Sequence, residues 1–197
     1  MDLNPKEKLI SEINEKIKIC KLCDLYKIRK NAVPGEGNIN SKIMLIGLGP
    51  GKDEDIQGRP FVGAAGKFLN ELLNLVGIKR EEVYITNVVK CIPPNNKPNE
   101  HQIFICTSNY LDKQIEIIKP RLIITLGEIA TKYIFEKNGK KFVNMSIHGK
   151  VFEFKNYFVL PMFHPASALY NPSLKEKIIN DWLKNKEFIR KFLAKLE

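Results

Sequence analysis

Four cysteines are the residues of this chain whose type and spacing could hold a metal. Cys20 and Cys23 form a Cys-x2-Cys pair, Cys91 follows after 67 residues, and Cys106 after 14 more. Four thiolates fit a tetrahedral zinc ion or an iron–sulfur cluster, and the spacing alone does not separate the two. Four unrelated buried thiols are the alternative, which the close pair and the lack of a leftover cysteine disfavour. A metal would tie the N-terminal helix to the middle of the chain, which predicts a structural role.

A glycine-rich stretch at residues 42–66 indicates a ligand pocket. An apolar run at 43–46 precedes a cluster of glycines, and a helical pattern begins near Gly63. Strand, glycine loop and helix are the layout of a pocket at the carboxyl end of a parallel sheet. The loop lacks the spacing of a Walker loop and of a dinucleotide fingerprint. Its acidic run at 53–55 would repel a pyrophosphate, so a neutral ligand such as a base suits it better, with a plain structural turn as the alternative.

Alternating strand and helix patterns predict the elements that must position these residues. They favour a three-layer α/β/α fold with a mainly parallel, four-stranded central sheet. The predicted strands cover residues 43–46, 83–89, 121–126 and part of a segment at 142–160. That last segment is expected to be a hairpin that turns near His148 and Gly149. In this layout the glycine loop, Asn87 and His164 all follow strands, so we expect them to converge on one edge of the sheet.

Composition limits the classes to which the chain can belong. Its 197 residues, 44% of them hydrophobic, predict one compact domain over 1–197. The net charge of +10 indicates either a polyanionic partner or a solvated lysine surface. The sequence has neither the long apolar run of a membrane helix nor the core of a signal peptide, so we expect an intracellular, cytoplasmic protein without a membrane partner. In that compartment the cysteines are more typical of metal ligands or redox groups than of disulfides.

Several motifs together give a specific resemblance. The glycine stretch is G-x-G-P-G-x-x-E-D-x-x-G-x-P-F-V-G at 47–63, and T-N-x-x-K-C follows at 86–91. H-P-A stands at 164–166, and the Cys-x2-Cys pair and the fourth cysteine complete the set. Over almost its full length the chain resembles the family 4 uracil-DNA glycosylases, the iron–sulfur class of bacteria and archaea.

This resemblance implies a fold, a cofactor and an activity. The fold would be the α/β/α arrangement of the uracil-DNA glycosylases. The cofactor would be a [4Fe–4S] cluster on Cys20, Cys23, Cys91 and Cys106, with zinc as the alternative. The activity would be base-excision repair, in which uracil is flipped out of DNA and its N-glycosidic bond is hydrolysed to leave an abasic site. The implied partner is uracil-containing DNA, single- or double-stranded, and we expect a monomer.

The resemblance also implies which residues bind uracil. Phe61 would be the platform on which the base stacks, although taken alone it is more typical of a core residue. The Asn87 amide offers a donor and an acceptor that match O4 and N3–H of uracil, whereas cytosine presents the opposite pattern. Taken alone, Asn87 is typical of a turn at a strand end. Backbone groups of Leu48, Gly49 and Pro50 would border the base.

Catalytic roles follow from the same resemblance. His164 would donate a hydrogen bond to uracil O2 as negative charge builds there, while a lone histidine before proline is otherwise a turn residue. Glu54 and Asp55 would lie near the sugar, where a carboxylate can stabilise oxocarbenium character or orient water. A solvated acidic turn is the alternative for both. Leu169 would enter the gap that the flipped nucleotide leaves in the DNA.

Two positions depart from the family pattern. The family commonly has Glu where this chain has Leu48, so a backbone role survives there but a carboxylate role does not. Tyr170 stands where family members often have Arg, which would remove one phosphate contact. Two hypotheses therefore remain: an active monofunctional glycosylase, or an iron–sulfur protein that binds DNA or damage with weak or altered catalysis.

Overall fold

A six-stranded mixed sheet forms the centre of the computed structural model, which describes residues 4–193. The strand order is β1-β3-β2-β4-β6-β5, and the inner four strands run parallel. The strands are β1 Glu36–Gly37, β2 Ile43–Gly47, β3 Tyr84–Asn87, β4 Leu122–Leu126, β5 Phe152–Glu153 and β6 Phe158–Met162. The four predicted strands are confirmed as this inner parallel group.

Both edges of the sheet carry a two-residue antiparallel strand that the sequence did not predict. At one edge β1 pairs with β3, and at the other β5 pairs with β6. The hairpin prediction at 142–160 was wrong about the turn, which is closed by the Phe154 amide donating to the Tyr157 carbonyl at 3.0 Å. His148 and Gly149 lie outside it, because the Gly149 amide donates to Pro161 and His148 pairs with Asp181.

Helices cover both faces of the sheet and complete the three layers. The α-helices are α1 Pro5–Lys18, α2 Lys52–Gln57, α3 Ala64–Leu75, α4 Glu100–Cys106, α5 Asp112–Ile118, α6 Glu128–Lys137, α7 Ser167–Tyr170, α8 Ser173–Lys184 and α9 Lys186–Arg190. A π-helical turn at Thr107–Leu111 joins α4 to α5. Within residues 4–193, no helix combines the length and the apolar character that crossing a membrane requires.

Side-chain alternation along the strands divides the core into two clusters. Successive residues of a strand point to opposite faces of the sheet. On β2, Met44 therefore joins the cluster beneath α1, α5 and α6, whereas Leu45 joins the cluster beneath α3, α8 and α9. All five residues of β2 and of β4 are buried, as expected for parallel strands covered on both faces. The predicted α/β/α architecture is confirmed, and the ends of its strands position the site described below.

Candidate active site

A cavity of about 390 Å³ opens at the carboxyl ends of the parallel strands. Its walls come from the loops that follow β2, β3 and β6, beside the point where the strand order reverses between β2 and β4. Open α/β sheets bind ligands in such a crevice. The cavity is lined by Leu48, Gly49, Gly51, Lys52, Asp53, Glu54, Phe61, Gly63, Ala64, Ala65, Asn87, Asn96, His164, Ala166, Ser167, Leu169 and Tyr170.

Asn87 lines this cavity and carries an unused acceptor. It is the last residue of β3 and only 1% exposed, and its Oδ1 makes no hydrogen bond with the described part of the chain. A buried acceptor without a partner costs about 1–3 kcal/mol. Gly47 makes the approach of this group feasible, because a Cβ there would lie 2.5 Å from Asn87 Oδ1 and 2.6 Å from the Phe61 ring. Within residues 4–193 the fold itself therefore leaves this acceptor without a hydrogen bond.

His164 presents a neutral N–H donor to the same space. Its Nδ1 accepts a hydrogen bond from the Ala166 amide at 3.1 Å, which assigns the ring proton to Nε2. Burial lowers the pKa of His164 to about 4, and the nearby Glu54 carboxylate opposes this shift only in part. The imidazole is therefore uncharged near neutral pH. Its ring stacks on Phe61 with centroids 5.5 Å apart.

Phe61 is held in a conformation that a free chain would rarely adopt. Its φ of 49° lies in the left-handed region, which for a bulky residue costs of order 1–3 kcal/mol. Arg80 fixes the turn by donating to the Phe61 carbonyl at 2.9 Å and also to the Pro60 carbonyl. Arg80 is held in turn by Glu36, whose Oε1 lies 2.9 Å from Arg80 Nη2. Gly66 is required as well, because a Cβ there would lie 1.9 Å from the Phe61 oxygen.

Sequence reasoning missed these supports of Phe61. Arg80 and Glu36 reach the turn from 19 and 25 residues away, and no local pattern signals such contacts. Gly66 was detectable in principle, since a glycine in the first turn of a helix usually marks a close approach of backbone.

Glu54 combines a structural contact with a place at the cavity wall. Its Oε1 accepts the amides of Val62 and Gly63, both at 2.9 Å, and so orders the segment after Phe61. Its Oε2 makes no hydrogen bond with the described residues. Asp53, which the sequence analysis did not single out, also lines the cavity and is exposed. The carboxylates that face the cavity are thus Asp53 and Glu54.

Two predicted site residues do not reach the cavity. Asp55 is buried, and its Oδ1 accepts the amides of Lys30 at 2.9 Å and Asn31 at 3.3 Å. The side chain therefore ties α2 to the preceding loop, and the structure places it away from the other candidate catalytic groups. Pro50 is likewise buried and is absent from the cavity wall.

Leu48 and Gly49 do border the cavity, and their backbone is fixed by the neighbouring loop. The Val89 amide donates to the Leu48 carbonyl at 3.0 Å, and the Val88 amide donates to Gly47 at 2.9 Å. A Cβ at Gly49 would lie 2.6 Å from a Val89 methyl group, so only glycine fits. The leucine at position 48 leaves this backbone arrangement intact.

The mouth of the cavity carries exposed side chains of α7. Leu169 is 51% exposed and Tyr170 is 81% exposed. Lys52 and Asn96 line the cavity as well. Asn95 and Asn96 both have positive φ, at 51° and 55°, in the loop that leads from Cys91 to α4.

Behind Asn87 lies a buried polar network that the sequence analysis also missed. Lys90 donates to Thr86 Oγ1 at 2.6 Å, to Gln114 Oε1 at 2.7 Å and to the Asn87 carbonyl at 2.8 Å. These three acceptors match the three protons of an ammonium group, and the bond to the Asn87 carbonyl fixes the backbone that carries Asn87. Burial lowers the pKa of Lys90 to about 7.

The four cysteines lie outside the cavity and are all free thiols. Cys91 and Cys106 are buried members of the hydrophobic cluster beneath α1, α5 and α6, and Cys20 and Cys23 pack against it. Burial raises the pKa of Cys106 to about 11 and also raises the pKa of Cys91, and neighbouring cysteines add to both shifts. The Arg29 guanidinium donates to Cys91 Sγ at 3.0 Å.

The donor chemistry of this cysteine group fits a metal centre. Four thiols from three segments of the chain lie in or against one hydrophobic cluster, and an N–H donor to sulfur is the kind of contact that supports a thiolate-bound cluster. Among residues 4–193, however, no three His, Cys, Asp or Glu side chains form a ready-made ligand set.

Comparison with known proteins identifies the family of this fold and cavity. The sequence-family model described as the uracil DNA glycosylase superfamily matches residues 34–197 of this chain, which include every lining residue of the cavity. The chain belongs to the uracil DNA glycosylase superfamily. Its membership confirms the predicted fold class.

Curated relatives give a closer placement within this superfamily. The chain is 48% identical to the Type-4 uracil-DNA glycosylase of Sulfurisphaera tokodaii over 185 residues, covering 90% of this chain and 84% of the relative. It is 44% identical to that of Archaeoglobus fulgidus over 181 residues, covering 89% and 90%. With that of Thermotoga maritima the identity is 43% over 189 residues, covering 94% and 97%. The resemblance to the family 4 enzymes is confirmed.

Proposed function

We propose that this protein is a monofunctional uracil-DNA glycosylase of base-excision repair. It flips uracil out of DNA and hydrolyses the N-glycosidic bond, leaving an abasic site. The observation that carries this proposal is the unpaired Oδ1 of Asn87 in a cavity shared with the neutral imidazole of His164 and the ring of Phe61. The 43–48% identity to Type-4 uracil-DNA glycosylases supports the choice of base.

Base recognition follows from the hydrogen-bonding edges of uracil. Asn87 Oδ1 accepts from N3–H, and its Nδ2 donates to O4. Cytosine has an acceptor at N3 and a donor at position 4. In the same pose its N3 would face the Asn87 Oδ1 acceptor and its amino group would face the Nδ2 donor, so neither hydrogen bond could form. Phe61 stacks on the base, and the backbone of Leu48 and Gly49 borders it. Lys90 donates to the main-chain carbonyl of Asn87 and so holds the backbone that carries this amide.

Bond cleavage transfers an electron pair to the base. As the bond between C1′ and N1 breaks, its electrons pass into the uracil ring and negative charge gathers on O2. The Nε2–H of His164 donates to that oxygen, and because the ring is uncharged and shielded it stabilises the charge as it develops. C1′ becomes an oxocarbenium centre near Glu54. Water then adds to C1′ and releases a proton, which completes the hydrolysis.

Leu48 removes one carboxylate that the family pattern would place near the sugar. Asp53 and Glu54 retain negative charge at the cavity, so the proposal does not depend on a carboxylate at position 48. Asp55, which is committed to the amides of Lys30 and Asn31, has no catalytic role in it.

A [4Fe–4S] cluster on the four cysteines is part of the proposal, with zinc as the alternative. Cys20 and Cys23 follow α1, whereas Cys91 follows β3 and Cys106 ends α4. A metal there stabilises the fold, because its binding energy feeds into folding. It lies apart from the base cavity, and no step of the hydrolysis passes through it.

Uracil-containing DNA is the proposed partner. The net charge of +10 favours phosphate contacts, and Lys52 stands at the mouth of the cavity. Leu169 enters the gap left by the flipped nucleotide. A single domain that acts as a monomer completes the proposal; residues 1–3 and 194–197 of the predicted domain lie outside the described residues.

Incubation with a uracil-containing oligonucleotide, followed by alkali cleavage at abasic sites, tests the proposal. We expect cleavage at uracil and none in matched strands that carry cytosine or thymine at the same position. The Asn87→Ala variant serves as the control that ties cleavage to this cavity. If the parent protein binds the DNA without releasing uracil, a binding function of the kind given as the second hypothesis replaces this one.

A further inference from the structure

One tyrosine of this chain, Tyr170, has a side chain that is largely exposed to solvent. Of the six tyrosines, Tyr170 is the one whose side chain is exposed, at 81%. Within residues 4–193 its hydroxyl makes no hydrogen bond and its ring packs on no aromatic ring or cation. By contrast, Tyr133 donates to Asp112, and Tyr157 accepts from Asn138. An exposed aromatic ring with no hydrogen bond or ring partner among the described residues keeps a face open for stacking.

The position of Tyr170 is fixed although its side chain is free. Ala168 anchors α7 in the core beneath α8, and the Asn171 amide donates to the Ser167 carbonyl at 2.9 Å. Tyr170 and its neighbour Leu169 both line the mouth of the cavity. A rigid turn thus holds two apolar side chains at the place where DNA must pass.

We propose that Tyr170 stacks on the nucleobase next to the flipped uracil. This inference rests on the proposed function of the cavity. Removing one nucleotide from the stack uncovers the faces of its neighbours, and Leu169 fills the gap itself. The next residue along α7 is then placed to cover a flanking base. Stacking on an aromatic ring suits every base, because each has a π-face.

The chemistry of the side chain separates stacking from a phosphate contact. A tyrosine is uncharged and releases no counterion from DNA, so its contribution to affinity should be independent of salt. Lys52, at the same mouth, is the matched contrast, because an ammonium that contacts a phosphate steepens the salt dependence. Stacking on one base changes affinity by about fivefold to a hundredfold.

A binding cycle tests the inference. The probe is a single-stranded oligonucleotide with 2′-fluoro-deoxyuridine, whose glycosidic bond resists cleavage. In one strand both flanking bases are present, and in two others the base on the 5′ side or on the 3′ side is replaced by an abasic analogue. We expect Tyr170→Ala to weaken binding about tenfold when both flanking bases are present. On the strand that lacks the stacked base, parent and Tyr170→Ala should bind equally. Tyr170→Phe should bind like the parent on both strands.

Salt titrations provide the second readout. Tyr170→Ala should shift the plot of log affinity against log salt without changing its slope, whereas Lys52→Ala should make the slope shallower. Equal thermal midpoints would show that the variants fold alike, as the exposure of both side chains predicts.

The results that overturn this inference are distinct from those that overturn the proposed function. Equal weakening by Tyr170→Ala on all strands, no weakening on any, or a changed salt slope excludes base stacking. Excision of ordinary deoxyuridine by the parent protein is measured separately and decides the proposed function. If the parent protein excises uracil, but the effect of Tyr170→Ala does not depend on the flanking base, the proposed function stands and the stacking role of Tyr170 is excluded.

Discussion

Replacing His164 by alanine should remove the donor that receives the developing charge on uracil O2. The Nδ1 of His164 is already engaged by the Ala166 amide, so Nε2–H is the one N–H that the ring can offer. Loss of a single preorganised donor of this kind typically lowers kcat by about 10²–10³-fold, or about 2.7–4 kcal/mol. The alanine also leaves a space beside Phe61, which should raise KM to a smaller extent.

Single-turnover excision from a uracil oligonucleotide measures this loss without interference from product release. The matched control is His101→Ala, because His101 is exposed in the first turn of α4 and does not line the cavity. His101→Ala should react like the parent. His164→Gln, whose amide can still donate, should recover part of the lost rate. An unchanged single-turnover rate in His164→Ala would show that this histidine is not the donor.

The pH profile provides an independent check on the charge state of His164. Because its pKa in the folded protein is lowered to about 4, the ring stays neutral down to that pH and keeps its bond from Ala166. The acid limb of kcat that belongs to this residue should thus lie near pH 4 rather than near 6.5. The same shift makes the folded state lose stability as pH falls from about 6.5 through 4, since the unfolded chain takes up the proton first. A limb near 6.5 that vanishes in His164→Ala would refute the assignment of a shielded, neutral imidazole.

Five further outcomes follow from the structure. Asn87→Ala should lower kcat/KM on uracil roughly tenfold to a hundredfold, because the base edge loses its partner, and an unchanged value would remove Asn87 from the pocket. Leu48→Glu should keep uracil excision, since the backbone at this position is held by Val89; loss of excision would mean that the loop depends on the leucine. Asp55→Asn should lower the thermal midpoint with little change in kcat, and a selective fall in kcat would restore its catalytic role. Purified protein should be brown and contain iron and acid-labile sulfide, whereas zinc without sulfide would favour the alternative metal. Cys91→Ala should reduce stability more than base selectivity, because the binding energy of a structural metal contributes to folding.

The parts of the fold that the sequence predicted are those set by local patterns. Continuous apolar runs such as 43–46 have no other place than a covered parallel strand, so the inner sheet was predictable. The two-residue strands β1 and β5 contain too few residues to show any period, and their pairing depends on the neighbouring strand. The turn near His148 was misplaced because Gly149 is held by Pro161, a contact made in three dimensions.

The candidate site shows the same division between local and distant signals. Asn87 is the last residue of β3 and His164 follows β6, which brings both to the same edge of the parallel sheet. The strained backbone of Phe61 depends instead on Arg80 and Glu36, whose contacts no motif encodes. The orphaned oxygen of Asn87 could be recognised only once its surroundings were known.

The three consecutive acids of α2 show why sequence neighbours are not interchangeable in this cavity. Each helical residue is rotated by about 100° from the one before, so Asp53, Glu54 and Asp55 face three directions. Asp53 is exposed at the cavity, Glu54 shares its carboxylate between the cavity and the segment after Phe61, and Asp55 is buried against a loop. The motif contains three acidic residues, but the turn of the helix brings only Asp53 and Glu54 to the cavity wall. Asp53 and Glu54 are therefore the residues of this run that can supply a carboxylate to the cavity in place of one at position 48, whereas Asp55 cannot.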